Sequence, residues 1–187
     1  MRQNKRLLIM LEIAIMSGLA YVLDLIPLFQ MPQGGSITLS MLPILILAYR
    51  RGVIAGIIAG GLFGTLNLMF NSFVVHWAQA LLDYPIAFLV IGLAGIFRFS
   101  SQASFRKKLT LLIAGVALAS ALRLLSHFTA GVIWFGSFAP EGMSPVWYSF
   151  IYNLSYIAPT FVILVIIMVL FANKGKVVLH PSNGRVA

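Results

Sequence analysis

The sequence has no cysteine and very few charged residues. Its 187 residues include only four Asp or Glu and 13 Lys or Arg, and charged residues make up 9% of the chain. Without a thiol, the chain forms no disulfide, no thiolate metal site and no lipid-modified cysteine. The low charged fraction, together with 60% hydrophobic residues and a mean hydropathy of +0.99, indicates an integral membrane protein.

The sequence also lacks the motifs of several enzyme classes. It contains no G-x-x-x-x-G-K-[ST] phosphate-binding loop, so we expect no ATP hydrolysis by this chain. It contains no H-E-x-x-H and no G-x-S-x-G, and its three histidines and four acids show no metal-ligand spacing. We therefore predict a protein with no catalytic residues, no metal and no cofactor.

Six apolar segments follow one another along the chain. A chain of this length has room for roughly six membrane crossings and for no separate soluble domain. The second segment is too short for a perpendicular crossing, so we expect it to tilt or to start below the membrane surface. We predict an all-α bundle of six transmembrane helices that forms one membrane-embedded domain over residues 1–187. The segments are Leu7–Ile26, Leu39–Tyr49, Gly52–Phe70, Trp77–Phe97, Leu109–Phe135 and Val146–Ala172.

The basic residues lie at one side of these segments. The loops Pro27–Thr38, Asn71–His76 and Gly136–Pro145 contain no Lys or Arg, and Arg123 is the only one of the 13 inside a segment. The positive-inside rule then places both termini in the cytoplasm and these three loops outside. The net charge of +9 is thus a topology signal, and we expect membrane lipid and no nucleic acid as a partner. The residues assigned to the cytoplasmic side are Arg2, Lys5, Arg6, Arg50, Arg51, Arg98, Arg106, Lys107, Lys108, Lys174, Lys176 and Arg185.

Small residues mark two helix faces. Ala14 and Gly18 form a small-xxx-small pair in the first segment, which either packs inside the bundle or presents a flat face to another membrane protein. A longer stripe in the third segment predicts the close approach of a neighbouring helix backbone. The stripe consists of Gly52, Gly56, Gly60 and Gly64.

Asp83 is the single charged residue within Trp77–Phe97, and an ionisable residue in a membrane span is a candidate binding site. At about 1.5 Å per residue, Asp83 lies roughly 9 Å below the outer end of its span. His127 lies roughly 12 Å and Asn153 roughly 10 Å below the outer ends of theirs. This common depth predicts an outward-facing pocket in the outer half of the membrane, over which the Gln30–Ser36 stretch folds as a loop.

Arg123 needs an anionic or carbonyl partner at its depth in the membrane. It precedes His127 by one helical turn, so both side chains project from the same helix face. Of the possible acceptors, which are Asp83, Glu12 and backbone carbonyls, we expect Asp83, because Glu12 lies near the inner end of its helix and can reach the surface. Gln79, one turn before Asp83, adds a hydrogen-bonding amide.

A buried carboxylate with aromatic and amide neighbours suits a small organic cation. Trp134 and Tyr148 lie near the same outer surface, where they either line the pocket or anchor the protein at the interface. An intramembrane enzyme that uses Asp83 and His127 as acid and base is an alternative, although the sequence identifies no nucleophile for it. A structural or assembly subunit without transport activity is another.

Five stretches form a pattern by their order and spacing, which extends over nearly the whole chain. They are Leu42–Gly52, Gln79–Pro85, Gly92–Gly95, His127–Trp134 and Tyr148–Asn153. This pattern resembles the thiamine-specific S component of energy-coupling factor (ECF) transporters. The resemblance implies a six-helix bundle in a prokaryotic plasma membrane that binds the vitamin on its extracellular side. It also implies transport together with a transmembrane coupling subunit and two cytoplasmic ATPase subunits.

The resemblance further implies roles for the pocket residues. Asp83 faces the cationic ligand, at a position where the family often has Glu, and Trp134 stacks on the pyrimidine. Tyr84 and Gly131 lie by the hydroxyethyl end. Further polar contacts come from His127, Tyr148 and Asn153.

The same resemblance bears on the partner and on the choice of ligand. Ala14 and Gly18 match a small-residue motif that contacts the coupling subunit. An S component for another vitamin or for a thiamine precursor is the nearest alternative, since pocket residues and not the fold set the ligand. The outer loops without Lys or Arg provide no phosphate clamp, which favours unphosphorylated thiamine.

Overall fold

A computed structural model describes residues 2–32, 34–174 and 179 of the chain. Over these residues the protein is mostly helical, as predicted. In addition, a two-stranded antiparallel ribbon lies between the first two helices. Strands β1 (Phe29–Gln30) and β2 (Ser36–Ile37) pair Phe29 with Ile37. The helices longer than ten residues in the described ranges are α1 (Arg2–Asp24), α2 (Met41–Arg51), α3 (Val53–Phe70), α4 (Trp77–Phe97), α5 (Phe105–Trp134) and α6 (Pro145–Lys174).

Five of these helices are long and apolar enough to cross a membrane, namely all in the described ranges except α2. Helix α2 has 11 residues, eight of which are buried, so the short second helix that the sequence predicted is enclosed by the other helices. Six crossings and cytoplasmic termini stay predictions. Lys176 and Arg185, which we assigned to the cytoplasmic side, lie outside the described residues.

The glycine stripe of α3 packs against the backbone of α4, as the sequence predicted. A Cβ atom added at Gly60 would collide with the carbonyl oxygen of Phe88, and one added at Gly64 would collide with that of Tyr84. Gly52 joins this contact through its backbone, because a Cβ atom added at Gly95 of α4 would lie 2.9 Å from the carbonyl carbon of Gly52. It has a φ of +97° and forms the turn between α2 and α3, a backbone conformation that favours glycine.

Helix α4 is irregular along much of its length, and Val90–Phe97 form a 3₁₀ helix. Residues Leu82–Ile86 form a π-helical turn around Pro85, which has no N–H and whose ring crowds the preceding turn. The carbonyl of Leu82, in this widened turn, also accepts a hydrogen bond of 2.6 Å from Ser126 Oγ of α5. Asp83 therefore lies on a widened turn that is fixed from a neighbouring helix.

Ion pairs and hydrogen bonds join helices at the end of the bundle that is remote from the loop between α3 and α4. Glu12 of α1 accepts from Arg50 at 3.2 Å and from Arg51 at 2.5 Å, both at the end of α2. Arg98, at the end of α4, donates to the carbonyl of Tyr49 at 3.0 Å. Glu12 thus has partners of its own far from the predicted pocket, and α1 and α4 are both tied to the end of α2.

Candidate functional site

A cavity of about 470 Å³ lies at the end of the bundle whose loops contain no Lys or Arg. This volume is in the usual range for small-molecule sites. Helices α1, α3, α4, α5 and α6 all contribute to its walls. The predicted site residues that line it are Gln79, Asp83, Tyr84, Arg123, His127, Gly131, Tyr148 and Asn153.

Hydrogen bonds hold the Asp83 carboxylate in place. Oδ1 is 2.9 Å from Nδ1 of His127, and Oδ2 accepts from Nε2 of Gln79 at 2.8 Å. Gln79 is itself buried, and its amide also donates to the carbonyl of Phe73 and accepts from the N–H of Val75. Gln79 therefore positions Asp83 and ties it to the loop between α3 and α4.

The prediction of a direct pair between Arg123 and Asp83 is wrong, because the His127 ring lies between the two side chains. Nε of Arg123 donates to Nε2 of His127 at 3.3 Å, which leaves Nδ1 of the same ring as the donor to Asp83. The guanidinium carbon of Arg123 also lies 4.9 Å from the centre of the Phe88 ring, in a cation–π contact. A chain of three side chains, Arg123, His127 and Asp83, thus runs to the cavity.

Trp134 does not line the cavity, and this placement contradicts the stacking role that the resemblance implied. Its ring stacks on His76, with centres 5.3 Å apart and an angle of 21° between the planes. Phe135 lines the cavity instead. Residues four apart lie on one helix face, so Phe135 continues the face of His127 and Gly131 while Trp134 points elsewhere.

The polar wall between α5 and α6 depends on a close approach of the two helices. A Cβ atom at Gly131 would collide with Oγ of Ser149, so glycine lets these helices meet. Asn153 donates to the carbonyl of Ser149 at 2.8 Å and accepts from the hydroxyl of Tyr156 at 2.6 Å. Tyr148 lies half-buried in the same wall, in the first turn of α6.

The loop between α1 and α2 lies against the cavity, as the sequence predicted. The hydroxyl of Tyr152 donates to the carbonyl of Gly34 at 2.5 Å. Gly35 has a φ of +80°, and a side chain there would collide with the ring of Tyr156. Two glycines therefore let this loop pack on the aromatic residues of α6. Gln33 lies outside the described residues.

A second carboxylate, that of Asp24, lines the cavity and was not predicted from the sequence. Its Oδ1 accepts from Thr38 Oγ1 at 3.1 Å and its Oδ2 from Asn67 Nδ2 at 2.5 Å. Asp24 ends α1, so it looked like an ordinary residue at the membrane interface. The polar residue Asn67, near the C-terminal end of α3, was the signal that could have predicted this pair.

The cavity can hold a cation among aromatic rings and hydrogen-bonding groups. Its lining contains the carboxylates of Asp24 and Asp83 and the guanidinium of Arg123, so its formal charge is −1 when His127 is neutral. Within the described residues no group of three or more His, Cys, Asp or Glu is arranged to hold a metal ion. A helical bundle with membrane-spanning helices around such a cavity defines a membrane protein that binds or transports small molecules.

The chain belongs to the family described as thiamine transporter protein (Thia_YuaJ), whose model matches residues 10–179. It is similar to the thiamine transporter ThiT of Bacillus subtilis (strain 168), with 40% identity over 179 residues that cover 91% of this chain and 93% of that protein. It is 33% identical to ThiT of Lacticaseibacillus paracasei, over 82% of this chain and 81% of that protein. The solved structure of ThiT from Listeria monocytogenes superposes with a TM-score of 0.88 at 29% identity and covers 95% of this chain and 100% of that one.

The family membership confirms the resemblance found in the sequence. The chain is a transport protein and not an enzyme, since its relatives are named thiamine transporters. With its five apolar helices in the described ranges, it is a multi-pass protein of the bacterial cell membrane.

Proposed function

We propose that this chain binds thiamine in the cavity and serves its uptake. The observation that carries this proposal is the Asp83 carboxylate, held by Gln79 and His127 in a cavity with a formal charge of −1. Thiamine combines a permanently cationic thiazolium ring with an aminopyrimidine that donates and accepts hydrogen bonds. The aromatic lining offers ring and cation–π contacts to both rings. The names of the relatives support the same ligand.

The cavity opens, in this proposal, to the outside of the cell. The loops at the cavity end, over residues 25–40, 71–76 and 135–144, contain no Lys or Arg. Arg50, Arg51 and Arg98 lie at the opposite end of the helices, where the positive-inside rule predicts the cytoplasm. An outward-facing cavity lets the protein take up a vitamin that is scarce outside the cell.

The proposal includes the role of S component in an ECF-type transporter. The sequence has no phosphate-binding loop, so the energy for uptake must come from other subunits. The resemblance implies a transmembrane coupling subunit and two cytoplasmic ATPases. Ala14 is exposed on α1, and a Cβ atom added at Gly18 would meet no atom within 4 Å. This face of α1 is free to dock on a membrane partner.

Titration of the purified, detergent-solubilised protein with thiamine tests the ligand. We expect one saturable site for thiamine, weaker binding of thiamine phosphates, and no binding of riboflavin or biotin. Calorimetry is the better readout, because none of the three tryptophans, Trp77, Trp134 and Trp147, lines the cavity. A folded protein that binds no thiamine would contradict the proposal, and saturable binding of another vitamin would replace the ligand.

A further inference from the structure

Asp24 is held in the cavity wall at a place where its helix disfavours a negative charge. It is the last residue of α1, and the C-terminal end of a helix carries the negative pole of the helix dipole. Two buried groups nevertheless fix its carboxylate. Thr38, which is 1% exposed, donates to Oδ1, and Asn67, which is 5% exposed, donates to Oδ2.

The two other carboxylates in the helices contact basic side chains, whereas Asp24 contacts none of those that the structure describes. Glu12 is paired with two arginines, and Asp83 contacts His127, whose other ring nitrogen contacts Arg123. Among the residues that the structure describes, no Lys, Arg or His nitrogen lies within 4 Å of the Asp24 carboxylate. Both of its hydrogen-bond donors, Thr38 and Asn67, are neutral, so no charged side chain of the described residues contacts this carboxylate.

The two carboxylates of the cavity differ in their contact with Arg123. Arg123 reaches Asp83 through His127, whereas it attracts Asp24 only over a longer distance and without contact. An uncompensated carboxylate in a membrane-embedded cavity is costly unless a cation occupies the site. Each oxygen of Asp24 has one hydrogen bond and keeps a lone pair for a further contact.

The geometry points to Asp24 as the residue that selects a positively charged ligand. Its carboxylate supplies counter-charge for the permanent cation of the bound molecule, whereas Asp83 already contacts His127 and, through it, reaches Arg123. This inference rests on the proposed function, because it assigns the charge recognition of the same cavity. The cavity should therefore bind a cationic ligand more tightly than a neutral ligand of the same shape.

The first experiment uses the unaltered protein and two ligands. Thiamine is compared by calorimetry with its thiophene analogue, which keeps the shape but has no positive ring. We expect thiamine to bind at least about ten-fold more tightly, since opposite charges attract strongly where water is excluded. Equal affinities would overturn the inference and leave the proposed function intact. If neither ligand binds, the proposed function itself fails.

The second experiment removes the charge from Asp24. Asp24→Asn should reduce the affinity for thiamine about ten-fold and leave the affinity for the thiophene analogue unchanged. The control is Glu141→Gln, which removes an acid from an exposed outer loop and should change neither affinity. An equal loss for both ligands, or no loss for either, would overturn the inference, because Asp24 would then serve only to hold Thr38 and Asn67.

A double variant distinguishes the loss of charge at residue 24 from a disturbance of the fold. In Asp24→Asn the amide groups of residues 24 and 67 face each other, which can disturb the end of α1. The exchange Asp24→Asn with Asn67→Asp restores a carboxylate–amide pair and keeps the charge in the cavity wall, since Asn67 also lines it. We expect the double variant to regain the preference for the cationic ligand. A folded double variant with no such preference would count against the inference.

Discussion

At the scale of single residues, Asp83 owes its position to its neighbours. Its two oxygens have different partners, Gln79 on one and His127 on the other, so the carboxylate has little freedom to turn. We expect Asp83→Asn to lower the affinity for thiamine about ten-fold or more, because a hydrogen bond to a charged group contributes roughly 1.5–3 kcal/mol. Calorimetry measures this loss. An unchanged affinity would show that Asp83 serves only the His127 network.

The neighbouring aromatic residues Trp134 and Phe135 allow a matched comparison. Phe135 lines the cavity, whereas Trp134 stacks on His76 outside it. Phe135→Ala should weaken thiamine binding by a factor of about ten, since a stacked aromatic ring contributes about 1–3 kcal/mol. Trp134→Ala should leave the affinity for thiamine within about two-fold of that of the unaltered protein, since a ten-fold change in affinity corresponds to about 1.4 kcal/mol. The reverse order in a titration would restore the stacking role that the family resemblance implied for Trp134.

The depth of polar residues along their helices correctly predicted which of them share one cavity. Counting along the helices brought Asp83, His127 and Asn153 to one level, and all three line one cavity. The count cannot show which side chain lies between two others, so the place of His127 between Arg123 and Asp83 was not predictable. It also ignored Asp24, because a carboxylate at the end of a span has a simple interfacial explanation.

At the scale of helices, the contact between α3 and α4 sets the geometry of the site. We expect Gly60→Ala to destabilise the protein by about 1–3 kcal/mol, because the new methyl group collides with the carbonyl of Phe88 and the helices must separate. Gly61→Ala is the control, since its nearest neighbour would be Leu89 Cβ at 3.9 Å. Thermal unfolding in detergent should show a lower midpoint for the first variant alone. Equal midpoints would mean that α3 and α4 adjust without cost.

Hydropathy predicted where the helices begin and end better than it predicted irregular turns within them. The fourth span begins at Trp77 and ends at Phe97, as the sequence indicated, because polar loops flank a continuous apolar run. Its π-helical turn was not predicted, since a proline in a span indicates only a disturbance and not its type. The β1–β2 ribbon was also missed, because two-residue strands have no periodicity to detect.

At the scale of the whole molecule, the distribution of charge predicts the orientation of the cavity. Because the chain has no cysteine, a single introduced cysteine is the one site in this protein at which a thiol reagent reacts. Its labelling therefore shows whether that position is accessible from outside the cell. Ser137 lies exposed in the loop beside the cavity, and Ser101 lies exposed in the basic loop between α4 and α5. A membrane-impermeant maleimide applied to intact cells should label Ser137→Cys and should label Ser101→Cys only after the cells are broken. The opposite pattern would invert the protein and place the cavity inside.

Uptake, in contrast to binding, should depend on a surface that is remote from the ligand. Ala14 is exposed on α1, and the space beyond Gly18 is open, whereas the cavity residue of the same helix, Asp24, is its last residue. A Trp at position 14 or 18 adds bulk on the outside of the bundle and leaves the cavity unchanged. We therefore expect Ala14→Trp and Gly18→Trp to bind thiamine within about two-fold of the unaltered protein.

The same two variants should reduce uptake of labelled thiamine at least about ten-fold in cells that supply the coupling subunit and ATPases, because a bulky ring prevents close packing of small-residue faces. Leu125→Trp is the control, since Leu125 is 58% exposed on α5 and its replacement adds the same ring elsewhere. Uptake that persists in all three variants would place the docking surface on another helix. A loss of binding in the α1 variants would instead show that this face belongs to the interior, and the separation of binding from transport would fail.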